Sequence, residues 1–227
     1  MLTVIPALLS RSELATVQGI LRNAPWSDGR ATAGTQSAEV KHNEQLPVGC
    51  PAEAKAQQIL SGALSRSAVF MAAALPKRIL PPMFNRYRHG GTFGAHVDNA
   101  IRIIPGAGET MRADLSCTVF LESPAAYDGG ELVILDRYGD KRVKLPAGDA
   151  VLYPSDSLHH VTPVTEGARL ASFFWVQSMV RDDAKRAMLF ELDQTIQELS
   201  AERGANNPQC LRLSGIYHNL IRAFAEI

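Results

Sequence analysis

Cysteine is scarce in this chain of 227 residues, which contains only Cys50, Cys117 and Cys210. The three are far apart and form no CxxC pair, so the sequence predicts neither a thiolate zinc site nor a disulfide framework. Unpaired cysteines are typical of reduced thiols, and we therefore expect a cytoplasmic protein.

The chain also lacks net charge, because 23 basic residues balance 23 acidic ones. The totals therefore give no electrostatic reason to expect nucleic acid or a membrane surface as a partner. No apolar run reaches the roughly 18–20 residues that span a bilayer. The N-terminal apolar segment has no basic leader and breaks at Pro6, which makes it a poor secretory signal. With 46% hydrophobic residues, the chain can bury one large core.

The N-terminal part contains two predicted helices with a polar segment between them. Ser10 and Glu13 fit a capping box at the start of a helix over residues 10–23. Residues 52–75 are rich in alanine and predict a second helix. Residues 26–50 predict a loop or short strands. A loop of this length inside a compact domain is often functional, so it is a candidate lid or substrate-selecting element, and the alternative is a packed surface loop.

From residue 83 onward, short β-rich runs alternate with turn signals such as Asp128-Gly129-Gly130 and Glu166-Gly167. Strands at spacings of roughly 8–12 residues predict an all-β barrel or sandwich. Both faces of the strand at 169–177 are largely apolar, so we expect cover on both, with the N-terminal helices on the outer one. The predicted strands are 83–87, 116–121, 131–135, 142–145, 150–153 and 169–177.

The last part of the chain predicts a helical hairpin. Asp182 and Asp183 suit a helix N-terminus, and Gly204 is a plausible C-cap. We therefore divide the chain into a β-rich domain with N-terminal helices, residues 1–180, and a C-terminal hairpin, residues 181–227. The hairpin could cap the barrel or form the contact of a homo-oligomer. Its predicted apolar stripes are Met188, Leu192, Ile196 and Leu199, and then Leu213, Ile216, Leu220 and Phe224.

The central chemical signal is His96-Val97-Asp98. Residues i and i+2 of an extended backbone point to the same face, so His96 and Asp98 can bind one metal. His159 follows Asp98 by 61 residues and can complete a triad of two histidines and one carboxylate, as in non-haem iron(II) oxygenases. The alternative is a strand-end histidine beside an ordinary turn aspartate. Because adjacent strand residues face opposite ways, only one of His159 and His160 should reach the metal. The ten-residue offset to Arg169 favours His159, and His160 is then expected at the rim or behind a ligand.

Arg169 opens the predicted apolar strand ten residues after His159. An unpaired buried charge is unfavourable, so Arg169 needs a partner. Its planar guanidinium matches the distal carboxylate of 2-oxoglutarate in bidentate fashion. The alternative is a salt bridge to Glu131 or Asp149.

Several segments together resemble the bacterial PKHD-type hydroxylases, relatives of the prolyl 4-hydroxylase catalytic domain, and the match covers nearly the whole chain. The segments that carry the resemblance include Asn85-Arg86-Tyr87, His96-Val97-Asp98, Asp128-Gly129-Gly130, Tyr153-Pro154-Ser155, Val161-Thr162-Pro163 and Gly167-Ala168-Arg169.

This resemblance implies an α+β fold with a double-stranded β-helix (jelly-roll) core. It implies one Fe(II) per subunit on His96, Asp98 and His159. It also implies 2-oxoglutarate on Arg169 near Tyr87, with O2 as the second co-substrate. The expected reaction hydroxylates a small molecule or peptide and releases succinate and CO2. Members of the wider group often use L-ascorbate (vitamin C) to keep iron reduced, and relatives are associated with bacterial iron uptake. The alternatives are a non-catalytic iron or 2-oxoglutarate sensor and a cupin-type metal-binding protein.

Overall fold

A computed structural model describes residues 1–32, 39–136 and 139–227 of the protein. The α-helices lie towards the two ends of the chain. None of the described helices is long and apolar enough to cross a lipid bilayer. The α-helices in these ranges are α1 (Arg11–Arg22), α2 (Pro51–Arg66), α3 (Ala68–Ala74), α4 (Asp183–Arg203) and α5 (Pro208–Phe224).

Antiparallel strands form the middle of the molecule. In chain order they are β1 (Thr3–Ile5), β2 (Ser27–Asp28), β3 (Lys41–His42), β4 (Glu44–Gln45), β5 (Pro76–Ile79), β6 (Met83–Arg88), β7 (Thr92–His96), β8 (Ile101–Ile103), β9 (Thr110–Arg112), β10 (Leu115–Phe120), β11 (Tyr127–Gly129), β12 (Leu132–Ile134), β13 (Lys141–Val143), β14 (Ala150–Pro154), β15 (His159–Val161) and β16 (Val164–Ser178).

Two of the sheets face each other. The larger has the order β1-β14-β10-β16-β6-β4-β2, with β5 and β11 also paired to β16. The smaller has the order β13-β12-β15-β7-β3. Tyr87, Phe120 and Tyr153 of the larger sheet form one apolar core with Leu132 and Val161 of the smaller. This arrangement is the α+β jelly-roll core that the resemblance implied.

The N-terminal helices cover the outer face of the larger sheet, as predicted. Phe174 and Val176 of β16 pack in a core with α1, α2 and α3, whereas Phe173 and Trp175 belong to the opposite face. The helix residues in this core are Val17, Leu21, Ala56, Leu60, Ala63, Leu64, Phe70, Ala73 and Ala74.

The predicted first helix is confirmed, because the side chain of Ser10 and that of Glu13 form the capping box at the start of α1. The single helix predicted over residues 52–75 is wrong in one respect. Ser67 interrupts it, and its side chain accepts a hydrogen bond of 3.2 Å from the backbone N–H of Phe70. Ser67 therefore ends α2 and caps α3.

The segment at 26–50 is not one long loop. Its short strands join both sheets, because β4 pairs with β6 and β3 pairs with β7. Through these strands, the segment over residues 26–32 and 39–50 belongs to the two sheets. The part of the lid prediction that falls on residues 33–38 lies outside the described residues.

The turn predicted at Glu166-Gly167 is also wrong, because β16 continues through both residues. Gly167 has φ +70°, and a Cβ atom there would lie 2.1 Å from the carbonyl oxygen of Ala126. Glycine is therefore needed for the close approach of the chain at residues 126–127. Arg169 consequently lies within the strand and does not open it.

The C-terminal hairpin forms as predicted, with Asp182 capping α4 and Gly204 at its end. The buried face of α4 differs from the prediction. Leu189 is fully buried against Leu75 and Val180, whereas Met188 is 51% exposed. The predicted apolar stripe of α4 therefore faces solvent at Met188.

We expect Leu189→Ala to lower the free energy of unfolding by about 2–5 kcal/mol, because it leaves a cavity between α4 and α3. The matched change Met188→Ala, one residue away on the exposed side, should alter it by about 0.5 kcal/mol or less. Urea denaturation of both variants measures the difference. Equal losses would contradict the assigned packing.

Candidate iron and co-substrate site

The structure brings the three predicted metal ligands together. His96 ends β7 and His159 begins β15, and the two residues pair directly across these antiparallel strands. Asp98 follows β7 by two residues. One ligand atom of each side chain lies within 4.8 Å of the others. The sheet register thus assembles two imidazoles and a carboxylate that could hold one metal ion.

Hydrogen bonds fix the two imidazole rings. Nδ1 of His96 lies 2.7 Å from the carbonyl oxygen of Gly94, and Nδ1 of His159 lies 2.9 Å from that of Ser157. With Nδ1–H donating to these carbonyls, each Nε2 would be the atom available to a metal ion. Burial lowers the pKa of His96 to about 4, and the neighbouring His159 adds to this effect. His96 is therefore neutral near pH 7, as a ligand must be.

The carboxylate of Asp98 is also held in place. Ser116 donates its hydroxyl hydrogen to Oδ2 of Asp98 over 2.5 Å. The hydroxyl of Ser155 lies 2.8 Å from that of Ser116 and extends the chain of hydrogen bonds. Ser116 therefore orients the carboxylate towards the two imidazoles.

We expect Ser116→Ala to weaken iron(II) binding by about tenfold or more, as losses of groups behind a metal ligand commonly do. Ser155→Ala should weaken it less, because Ser155 reaches Asp98 only through Ser116. Anaerobic equilibrium dialysis with iron(II) measures both dissociation constants. An unchanged affinity in Ser116→Ala would show that this hydrogen bond does not orient the carboxylate.

The triad lines a cavity between the sheets that encloses about 790 Å³, including its opening to solvent. Tyr87 and Arg169 line the same cavity. No described residue of the C-terminal hairpin lines it, so the hairpin does not cap the site. His160 is not among the described lining residues, and its place at the rim or behind a ligand stays a prediction.

Arg169 is 2% exposed and enters this cavity from β16. Its Nε has no hydrogen-bond partner among the described residues. The salt-bridge alternative fails for both acids. Glu131 pairs with Arg142 over 2.8 Å, and Asp149 accepts a hydrogen bond of 2.8 Å from the backbone of Ala7. A buried guanidinium whose Nε lacks a hydrogen-bond partner among the described residues is suited to bind an anionic ligand.

Aromatic rings surround the guanidinium of Arg169. Its central carbon lies 5.2 Å from the ring centroid of Tyr87 and 5.4 Å from that of Phe120. The hydroxyl of Tyr87 accepts a hydrogen bond of 3.3 Å from Asn85. Burial raises the pKa of Tyr87, so the phenol is neutral and can donate to a carboxylate.

Gly130 makes room for Arg169. It has φ +63°, and a Cβ atom there would lie 2.9 Å from Cε2 of Tyr127 and 3.0 Å from Cδ of Arg169. The residues Asp128-Gly129-Gly130 carry a turn signal and part of the family resemblance, but neither indicates that Gly130 contacts Arg169. The role of Gly130 in positioning Arg169 follows from the tertiary packing.

Sequence reasoning also missed two basic side chains in the cavity, Lys41 and Arg102. The guanidinium carbon of Arg102 lies 3.4 Å from the ring centroid of Trp175. The ammonium group of Lys41 lies 5.4 Å from that of Phe93. Neither residue belongs to a recognisable motif, so only the pairing of the strands reveals them.

Two family models match consecutive parts of the chain. The model of the 2OG-Fe(II) oxygenase superfamily matches residues 82–177, and that of the PKHD-type hydroxylase C-terminal domain matches residues 183–226. A PKHD-type hydroxylase of Burkholderia lata is 56% identical over 226 residues, covering 100% of both chains. The chain belongs to the PKHD-type hydroxylases. This PKHD-type hydroxylase is therefore an Fe(II)- and 2-oxoglutarate-dependent dioxygenase.

Solved structures support the fold of this PKHD-type hydroxylase. A prolyl hydroxylase of Trichoplax adhaerens, in complex with a hypoxia inducible factor peptide fragment, aligns with TM-score 0.54 and 15% identity over 82% of this chain and 86% of that one. A prolyl-4-hydroxylase of Pseudomonas putida aligns with TM-score 0.52 and 19% identity over 78% and 92%. At such identities the likeness concerns the fold alone.

Proposed function

We propose that His96, Asp98 and His159 hold the Fe(II) of this dioxygenase and that Arg169, beside Tyr87, binds the distal carboxylate of 2-oxoglutarate. The observation that carries the proposal is the meeting of the three ligand atoms within 4.8 Å in the cavity that Arg169 also lines. A five-carbon diacid in this cavity could chelate the metal at one end and reach the guanidinium at the other.

The side chains divide the work of the site. When bound, iron(II) supplies the oxygen chemistry by which 2-oxoglutarate becomes succinate and CO2 and the substrate gains a hydroxyl group. Two histidines and one carboxylate would hold the metal and would leave further ligand positions to the co-substrates. Arg169 and the neutral phenol of Tyr87 hold the diacid by charge and hydrogen bonding.

Aromatic rings shield the histidines. The ring of Phe93 stacks on His96 with centroids 3.7 Å apart, and the edge of Tyr153 meets His159 at 5.2 Å. These contacts restrict rotation of the imidazoles and keep water from their sides. The protein thus contributes orientation and a shaped cavity for the metal.

Untargeted metabolite analysis tests the activity. A cell extract incubated with the iron-loaded enzyme should show a product with one added oxygen atom, together with succinate, only when 2-oxoglutarate is present. The substrate is expected to be a small molecule or a peptide. Extract-dependent succinate formation without any oxygenated product would contradict hydroxylation.

Further assignments belong to this proposal. We expect L-ascorbate to sustain turnover by keeping the iron reduced, and its omission should shorten the productive phase of the reaction. The free thiols of Cys50, Cys117 and Cys210 favour a cytoplasmic location. The ranges matched by the two family models support a division into residues 1–180 and 181–227.

The C-terminal hairpin is proposed as a contact between subunits. Its exposed Met188, Leu211 and Ile216 support this assignment. Light scattering after gel filtration distinguishes a homo-oligomer from a monomer.

A further inference from the structure

Lys41 and Arg102 lie at the metal end of the cavity, away from Arg169. Lys41 is 4% exposed and its ammonium group lies 5.9 Å from the ring centroid of Phe173. Arg102 stacks on Trp175. Phe173 and Trp175 follow Arg169 on the same face of β16 by four and six residues, which corresponds to about 13 and 20 Å along the strand. The rings that the two cations contact therefore lie further along β16 than Arg169, and we assign the two cations to a group other than the carboxylate proposed for Arg169.

The guanidinium of Arg102 has an unfilled hydrogen-bonding position. Its Nε is buried without a partner among the described residues. Its ion pair with Asp98 is long, with 3.8 Å between nitrogen and oxygen, and that carboxylate already accepts from Ser116. In the proposed function Asp98 also binds iron, so little of its charge is left for Arg102.

Lys41 faces Arg102 across the same space. Its ammonium group donates to the neutral amide oxygen of Gln45. Burial, and next the positive charge of Arg102, lower the pKa of Lys41 to about 8. Lys41 therefore remains mostly protonated at pH 7, and the two cations repel each other.

Lys41 and Arg102 place two positive charges in the described lining of the cavity. The acids whose charges act on Lys41 are Asp28 and Asp98, and Asp98 also acts on Arg102. An anion between them would relieve their repulsion and satisfy Nε of Arg102.

We propose that the substrate carries an oxyanion, such as a carboxylate or a phosphate, and that this group binds between Lys41 and Arg102. The inference rests on the proposed function, because it takes this cavity as the oxygenase site. The rings of Phe93, Phe173 and Trp175 form apolar walls beside the two cations. They suit an apolar body attached to the acid.

Trp175 provides a reporter for this binding. The chain has two tryptophans, so Trp26→Phe leaves Trp175 as the single tryptophan, which can be excited selectively over the tyrosines. The iron-loaded protein with saturating 2-oxoglutarate is titrated without oxygen with benzoate, phenyl phosphate and neutral benzamide. We expect saturable fluorescence changes with the two anions and binding of benzamide at least about tenfold weaker. The anion with the lower dissociation constant shows whether the site prefers a carboxylate or a phosphate.

Charge variants locate the anion. In the same single-tryptophan background, Lys41→Met and Arg102→Met should each weaken anion binding about tenfold or more, whereas Lys41→Arg should retain most of it. Arg142→Met, which removes an exposed cation outside the cavity, is the matched control and should change nothing. The affinity for 2-oxoglutarate, followed by the visible charge-transfer absorption, should be unchanged in all four.

Three results would overturn the inference. They are equal binding of benzoate and benzamide, undiminished anion binding in both methionine variants, and a loss of 2-oxoglutarate affinity in these variants, which would assign the cations to the co-substrate. If a methionine variant fails to fold, the comparison of benzoate with benzamide still decides. Absence of the charge-transfer band in the unaltered protein would instead refute the proposed function.

Discussion

Replacing His159 with alanine is expected to abolish stoichiometric iron binding and to slow 2-oxoglutarate turnover more than about 100-fold, because two remaining ligands hold the metal too weakly. Replacing the adjacent His160 should leave both quantities unchanged. His160 pairs with Val133 of β12 and lies outside the triad and outside the described lining of the cavity. The two variants differ by one position in the same strand.

The measurement is iron content per chain after anaerobic loading and gel filtration, followed by succinate formation in the absence of substrate. Circular dichroism and urea denaturation show whether each variant remains folded. If His159→Ala retained one iron per chain, or if His160→Ala lost it, the assignment of the third ligand would be wrong.

The second large effect is expected for Arg169→Met. Methionine keeps an apolar stem of similar length but removes the charge, so the dissociation constant for 2-oxoglutarate should rise at least about 100-fold. The free energy of unfolding of the metal-free protein should stay the same or increase. A buried cation whose Nε has no partner among the described residues contributes little to stability.

This pair of measurements separates binding from structure. If Arg169 mainly stabilised the fold, the methionine variant would unfold more easily and bind 2-oxoglutarate normally. Arg169→Lys keeps the charge but loses the planar, forked donor, so its affinity should fall between those of the unaltered protein and Arg169→Met. Iron(II) affinity should be the same in all three proteins, because Arg169 is not a proposed ligand.

The site followed from the sequence where short-range geometry determines it. His96 and Asp98 share a face because they are two residues apart on an extended chain, and His159 differs from His160 by the alternation of a strand. The long-range step, the direct pairing of His96 with His159, depends on the register of β7 and β15. Sequence spacing suggested the partner of His96 but could not give that register.

Other features depended on tertiary packing that no local pattern carries. Gly167 was interpreted as a turn residue, yet its positive φ serves the close approach of residue 126 within a continuous strand. In α4 the apolar periodicity identified the helix, but Leu189 and not Met188 faces the core. Lys41 stands in a polar segment without a motif, and the pairing of β3 with β7 alone carries it into the cavity.

Visible absorption of the anaerobic protein tests the central assignment most directly. Adding 2-oxoglutarate to the iron(II)-loaded enzyme should produce a charge-transfer band that saturates at one 2-oxoglutarate per iron and per chain. His159→Ala should give no band, and Arg169→Met should need at least about 100-fold more 2-oxoglutarate to reach it. Bound iron without a band, or a band of undiminished affinity in Arg169→Met, would contradict the account.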